Sequence, residues 1–187
     1  MTGATGNGGG RGANRLKLAI WGTAALLLLV PLVAMQFTDE VAWGPADFVV
    51  FGAMLAAACG AYELATHLSG SRRYRAGVGV AVLATFVLVW VNLAVGVIGD
   101  EGNPANLMFG GVLLVGILGA LVARFEAGGM AQALVATAIA QALVALIILY
   151  AGWGKEALAF SALFIAPWLA SAWLFREAAR EATPGAA

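Results

Sequence analysis

The stretch over residues 45–66, PADFVVFGAMLAAACGAYELAT, decides the fold. An apolar run of this length fits a helix through about 30 Å of hydrocarbon, which takes roughly 20 residues at about 1.5 Å each. Proline suits its first turn, because the missing N–H has no helical partner there in any case. A fainter copy returns 59 positions later (45 to 104), as PANLMFGGVLLVGILGALVARF over residues 104–125. Pro-Ala-Asp and Pro-Ala-Asn open the two copies. Gly52 then aligns with Gly111, Leu55 with Leu114, Gly60 with Gly119 and Ala61 with Ala120.

Working outward, the rest of the chain has the same character. Of 187 residues, 62% are hydrophobic and only 11% charged, against roughly 25% charged in a soluble domain. Mean hydropathy is +0.91. That leaves too little charge to clothe a soluble surface. Net charge is zero, so no overall basic field draws nucleic acid. Cys59 is the only cysteine, which excludes an internal disulfide and a cysteine cage for a metal. Alanine and glycine are abundant and arginine outnumbers lysine, which occurs only at Lys17 and Lys155, a composition in keeping with a GC-rich bacterial gene.

The expected fold class is all-α, a polytopic transmembrane bundle of six helices over residues 18–36, 47–66, 76–98, 106–123, 130–150 and 157–175. Pro31 bends or ends the first and Pro167 interrupts the last. Residues 1–14, rich in Gly, Thr and Asn, are expected to form a flexible cytoplasmic tail. Residues 15–176 form one membrane domain and 177–187 a second cytoplasmic tail. The first apolar run also invites a signal-peptide reading with cleavage after Leu32-Val33-Ala34. Its length of about 19 residues exceeds the usual signal core of about 7–15, which favours a retained helix.

Basic residues are held on the cytoplasmic side of a membrane. Six alternating crossings put Arg11, Arg15, Lys17, Arg72, Arg73, Arg75, Arg124, Arg176 and Arg180 together and leave only Lys155 opposite. Both termini are therefore expected inside. Asp39, Glu40, Asp47, Asp100, Glu101 and Glu156 fall outside, with Trp43 as an interfacial anchor.

The echo between helices 2 and 4 extends weakly into helices 3 and 5 at a shift of 56 (Gly96 to Gly152). Both hairpins enter from the same side, so it would be a parallel repeat. Small residues recur every four positions at Gly52, Ala56 and Gly60, at Gly77, Ala81 and Thr85, and at Ala162, Ala166 and Ala170. Such stripes let helix backbones approach closely, either within one chain or between copies.

Candidate functional positions are few. Glu63 lies inside an apolar run with His67 on the same helix face, four residues on. One reading is a proton or ligand site at the inner mouth. The other is an interfacial acid paired with His67 or with the arginines of residues 72–75. Asn92, Thr85 and Gln141 either line a polar path or make interhelical hydrogen bonds. Asp39, Glu40, Asp47, Asp100 and Glu101 either form a cation-attracting rim or remain as the solvated face that the orientation rule leaves acidic. Asp47 and Asn106 also stand in the first turns of their helices, where an acceptor satisfies free N–H groups. One histidine and no Ser/His or Cys/His set argue against acyl transfer. No glycine-rich phosphate loop joins a strand to a helix. No catalytic residue, metal site or cofactor is expected.

Three strings, FTDEVAWGPADF (37–48), VNLAVGVIGDEGNPANLM (91–108) and RFEAGGMAQAL (124–134), resemble a family of small uncharacterised multi-pass inner-membrane proteins of bacteria. The resemblance covers most of residues 35–150 and rests on the two acidic outer loops. It implies a bacterial inner-membrane location and carries no activity. The expected role is a non-enzymatic accessory or interaction component that packs with itself, as a homo-oligomer, or with a membrane-protein partner. The alternative is a small transporter or channel for a small solute or cation, its route lined by Asn92, Gln141 and Glu63. A third reading is binding of a quinone or lipid between helices.

Overall fold

The computed structural model describes residues 8–39 and 41–182, with side-chain surroundings from Lys17 onward. Glu40, residues 1–7 and residues 183–187 lie outside the described residues, as do the side chains of Arg11 and Arg15. The elements are α1 (Gly8–Ala34), α2 (Pro45–Leu68), α3 (Arg72–Ala94), a 3-10 turn (Pro104–Asn106), α4 (Leu107–Val122), α5 (Ala127–Ala151), α6 (Lys155–Leu163) and α7 (Ile165–Ala182). No strand occurs among the described residues. Among the described residues six segments are long and apolar enough to cross a membrane: Lys17–Ala34, Pro45–Leu68, Arg72–Ala94, Pro104–Val122, Ala127–Ala151 and Lys155–Ala182. The last is built from two helices, α6 and α7.

The chain divides into two compact units, Met1–Glu63 and Leu64–Ala187. The first holds α1 and most of α2. Residues 8–14, expected as tail, instead extend α1, because lengthening an existing helix is far easier than nucleating one. Pro31 lies inside α1 and the helix ends three residues later, at Ala34. At the start of α2, Asp47 folds back so that Oδ2 accepts from the Gly44 N–H at 2.7 Å, half of a capping box. Trp43 packs edge-on against Phe48 and Phe51, with ring centroids 5.3 Å apart in both pairs. Gly52 faces Leu28 of α1 across ordinary contact distance. Ala56 and Gly60 are exposed.

The second unit is centred on α5 and α7. Helix α5 packs against α4, α6 and α7, and α3 packs against α7. Its core includes Leu88, Phe109, Val112, Ile148, Trp168 and Phe175. Lipid tails are as apolar as leucine, so close packing and hydrogen bonds hold such helices together. Packing on α3 uses Gly77: a Cβ there would lie 3.0 Å from the Phe175 ring, so the missing side chain makes room for that ring. Ser171 Oγ donates to the Gly77 carbonyl at 2.7 Å across the same contact. The expected seam of helix 6 is corrected. Ala162, Ala166 and Ala170 are exposed, and the buried face is Ala157, Ser161, Phe164, Trp168, Ser171 and Phe175. Large side chains fill this interface, and the alanines face outward.

Two boundaries differ from the sequence expectation. Arg72, Arg73 and Arg75 form the first turn of α3 rather than the loop before it. Ser71 caps that helix, its Oγ accepting from the Tyr74 N–H at 3.3 Å. Residues 127–129 open α5 rather than forming the turn. The reversal falls on Arg124 and Phe125, both left-handed at φ 49° and 60°. Gly129 is needed for proximity instead, since a Cβ there would lie 2.6 Å from Ala123 Cβ.

Candidate functional site

Polar groups gather in the interior of the second unit where its last span breaks. Pro167 has no N–H to offer the Leu163 carbonyl four residues back, and its ring crowds that carbonyl. Helix α6 accordingly ends at Leu163 and α7 begins at Ile165. A helix end leaves its last carbonyls without helical donors. Gln141, from the middle of α5, supplies one. Its Nε2 donates to the Ser161 carbonyl at 3.1 Å and to Ser161 Oγ at 3.0 Å. Gln141 and Ser161 are both 0% exposed. The Gln141 Oε1 and the Trp168 Nε1 are buried without a partner. Thr137, one turn before Gln141 and equally buried, donates to the Ala133 carbonyl of its own helix at 2.9 Å.

The residues expected to line a route serve separate contacts. Asn92 Nδ2 donates to the Leu88 carbonyl of its own helix at 2.8 Å, and its Oδ1 is buried without a partner. Thr85 is half-buried in α3. Glu63 belongs to the first unit, where it forms an ion pair with Lys17 and accepts from the Trp21 indole at 3.4 Å. The sequence suggests His67 or the arginines of residues 72–75 as the partner of Glu63, and the ion pair observed is with Lys17. His67 is exposed, Arg73 bonds Glu177 and Glu181, and Arg75 donates to the Ser69 carbonyl. Lys17 wins because an ammonium on a long flexible stem reaches Glu63 from the neighbouring helix.

Asp39, Asp100 and Glu101 are exposed, Asp47 caps α2, and Glu40 lies outside the described residues. Among the described residues no three His, Cys, Asp or Glu side chains group as a metal would require. The loop before α4 is ordered by Asn106. Its Oδ1 accepts from the Val97 and Ile98 N–H groups at 3.1 and 2.9 Å, and its Nδ2 donates to the Asp100 carbonyl at 2.8 Å and the Ile98 carbonyl at 3.3 Å. It does not cap α4, as its position in the sequence predicted. Asn103 does the capping, accepting from the Ala105 N–H at 2.9 Å. Pro104 starts a 3-10 turn, so the side chain two residues on reaches back to the loop.

The basic end of the second unit carries an open crevice of about 400 Å³, lined by Leu68, Ser69, Tyr74, Arg124, Glu126 and Glu181 among others. Ser71 and Glu181 in one wall belong to an ionic network. Arg73 bonds Glu177 and Glu181 at 3.1 Å each, Arg180 bonds Glu177 at 2.6 Å, and Ser71 Oγ lies 3.0 Å from Glu181 Oε2. Arg73, Arg180 and Glu181 are exposed while Glu177 is more covered, and pairs with an exposed partner add little. The other wall is the left-handed turn at Arg124 and Phe125. Left-handed non-glycine residues are strained, and Tyr74 holds this pair by donating its hydroxyl to the Phe125 carbonyl at 2.7 Å. Tyr74→Phe keeps the edge-on contact of the ring with Phe175, centroids 5.0 Å apart, and removes only that bond. It is expected to lower stability by about 1 kcal/mol, read as a drop in thermal midpoint in detergent.

No family model, curated protein or solved structure matches the chain. Ser161, Trp168 and Tyr74 did not stand out in the sequence. The one signal for the first two was Pro167, which places a freed carbonyl four residues upstream.

Proposed function

We propose that the chain is a multi-pass protein of a bacterial inner membrane, both termini cytoplasmic, acting as a non-enzymatic accessory or interaction component. The observation that carries this reading is how its interior polar groups are used. Gln141 fastens α5 to α6, Ser171 fastens α7 to α3, and Asn92 and Thr137 bond their own helices. The donors of these groups act as fasteners within and between helices rather than as the lining of a solute route. The orientation rests on the nine-to-one division of basic residues, and the bacterial location on the loop strings FTDEVAWGPADF and NPANLM. A second reading, a small transporter or channel, draws on one observation, the unpartnered Asn92 Oδ1, Gln141 Oε1 and Trp168 Nε1.

Purification in mild detergent after crosslinking in intact cells separates the two. A second copy or a stoichiometric membrane-protein partner is expected to remain with the chain. A monomer without partner that moves solute in reconstituted vesicles would overturn the accessory reading. Reporter fusions test the threading, since an external signal from a fusion at Gly70 or Ala127 contradicts it.

A further inference from the structure

We infer that the break between α6 and α7 is a hydrated site inside the membrane span, in which bound water accepts from the Trp168 indole N–H and donates to Gln141 Oε1. The inference goes beyond the accessory reading and stands independently of it. Three kinds of group meet the requirement. Trp168 Nε1 is a donor without a partner and Gln141 Oε1 an acceptor without one, on residues 1% and 0% exposed. The Leu163 carbonyl is a further acceptor, freed because Pro167 cannot donate to it. Both orphaned groups belong to the packing of α5 against the last span. Ser161, which Gln141 holds, and Trp168 stand on either side of that break and are both on the buried face of the last span. A helical side chain leans toward the N-terminus of its own helix, which carries the indole back toward the break.

The chemistry of the lining selects the guest. A buried water takes two to four polar partners, with hydrogens for the acceptors and a lone pair for the donor. The buried polar residues of the unit are Thr137, Gln141, Ser161 and Ser171, all uncharged. The Trp168 N–H needs a lone pair and Gln141 Oε1 needs a hydrogen, and water supplies both where a metal cation supplies neither. Glutamine elsewhere in a span has an alternative in its own helix, as Asn92 does. Gln141 instead turns its donor to the broken helix and leaves its acceptor for the guest.

The test uses the full chain in lipid nanodiscs and brief X-ray radiolysis, which makes hydroxyl radicals from water where it is bound. Trp168 is expected to be oxidised although it is 1% exposed, whereas Phe109 and Phe175, 2% and 0% exposed, stay unmodified. Gln141→Leu is expected to abolish Trp168 oxidation and leave that of exposed Trp153 unchanged. A Trp168 as unreactive as Phe109 in the unmodified chain overturns the proposal, and so does oxidation that persists in Gln141→Leu. Should that variant fail to fold, the unmodified chain still decides. With labelled tryptophan, a buried indole N–H that cross-relaxes with water supports the site, and its absence refutes it.

Discussion

Gly119→Val is expected to leave little folded protein. A Cβ built on Gly119 lies 2.7 Å from Ala133 Cβ and 3.2 Å from Ala133 Cα. The second of these is backbone, which no rotamer change can move aside. Helices α4 and α5 would have to part, and they are in similarly close approach at two further levels. Gly116 faces Thr137 Oγ1 at 3.0 Å, and Gly129 faces Ala123 Cβ at 2.6 Å. Overpacking a fitted interface costs about 1–3 kcal/mol for modest insertions, and valine here adds its branched methyls to a contact that has no room for Cβ alone. The loss is read as the fraction of chain eluting as a single species after heating in detergent. Gly111→Val and Gly60→Val are the controls, since neither glycine has a neighbour within 4 Å of a built Cβ. Gly119→Ala should be rescued in part by Ala133→Gly. A rescue would locate the fault in that one contact, whereas equal damage from all three valines would deny the close approach.

That contrast marks what a sequence of this kind discloses. The spans are legible because lipid imposes their length and the apolar runs obey it. The partner of each glycine is not. Gly60 and Gly119 occupy matching positions in the two copies of the echo, yet one faces open space and the other a backbone. Nothing local to either residue distinguishes them, because the difference lies in which helix arrives opposite. The same holds for polar residues. Gln141 stands out in α5, but its partner Ser161 is unremarkable until Pro167 is seen to end α6 two residues beyond it. The break falls at Phe164, three residues before the proline, because the pyrrolidine ring acts on the carbonyl four residues back. The helix 6 stripe misled for a related reason: spacing of four identifies a face but not its direction, and Ala162, Ala166 and Ala170 face outward. Arg72, Arg73 and Arg75 suggest a loop because charge argues against a membrane interior, yet arginine is a good helix former and Ser71 lets α3 begin before them.

Asn106→Ala is expected to be the most damaging substitution in the acidic loops. The side chain makes four bonds, accepting from two N–H groups and donating to two carbonyls. Ile98, at the centre of the arrangement, is 1% exposed, so water cannot readily replace what alanine removes. An unsatisfied buried group costs about 1–3 kcal/mol; with part of the loop wet, a net loss of about 2–3 kcal/mol is expected on that scale. Asn103→Ala and Asp47→Ala each remove one helix-start bond and should cost about 1 kcal/mol. Asn106→Asp keeps both acceptances but sets a carboxylate against the Ile98 and Asp100 carbonyls, so it should not restore the parent. The loop cannot relax to compensate. Gly96 is left-handed at φ +70°, and a Cβ there would lie 2.3 Å from the Asp100 carbonyl oxygen, so the chain is already folded tightly upon itself. Thermal midpoints of the four variants, with proteolysis of the loop near Glu101, give the ranking. If Asn106→Ala proves no worse than Asp47→Ala, the two openings Pro-Ala-Asn and Pro-Ala-Asp act alike, and the loop is not held from Asn106.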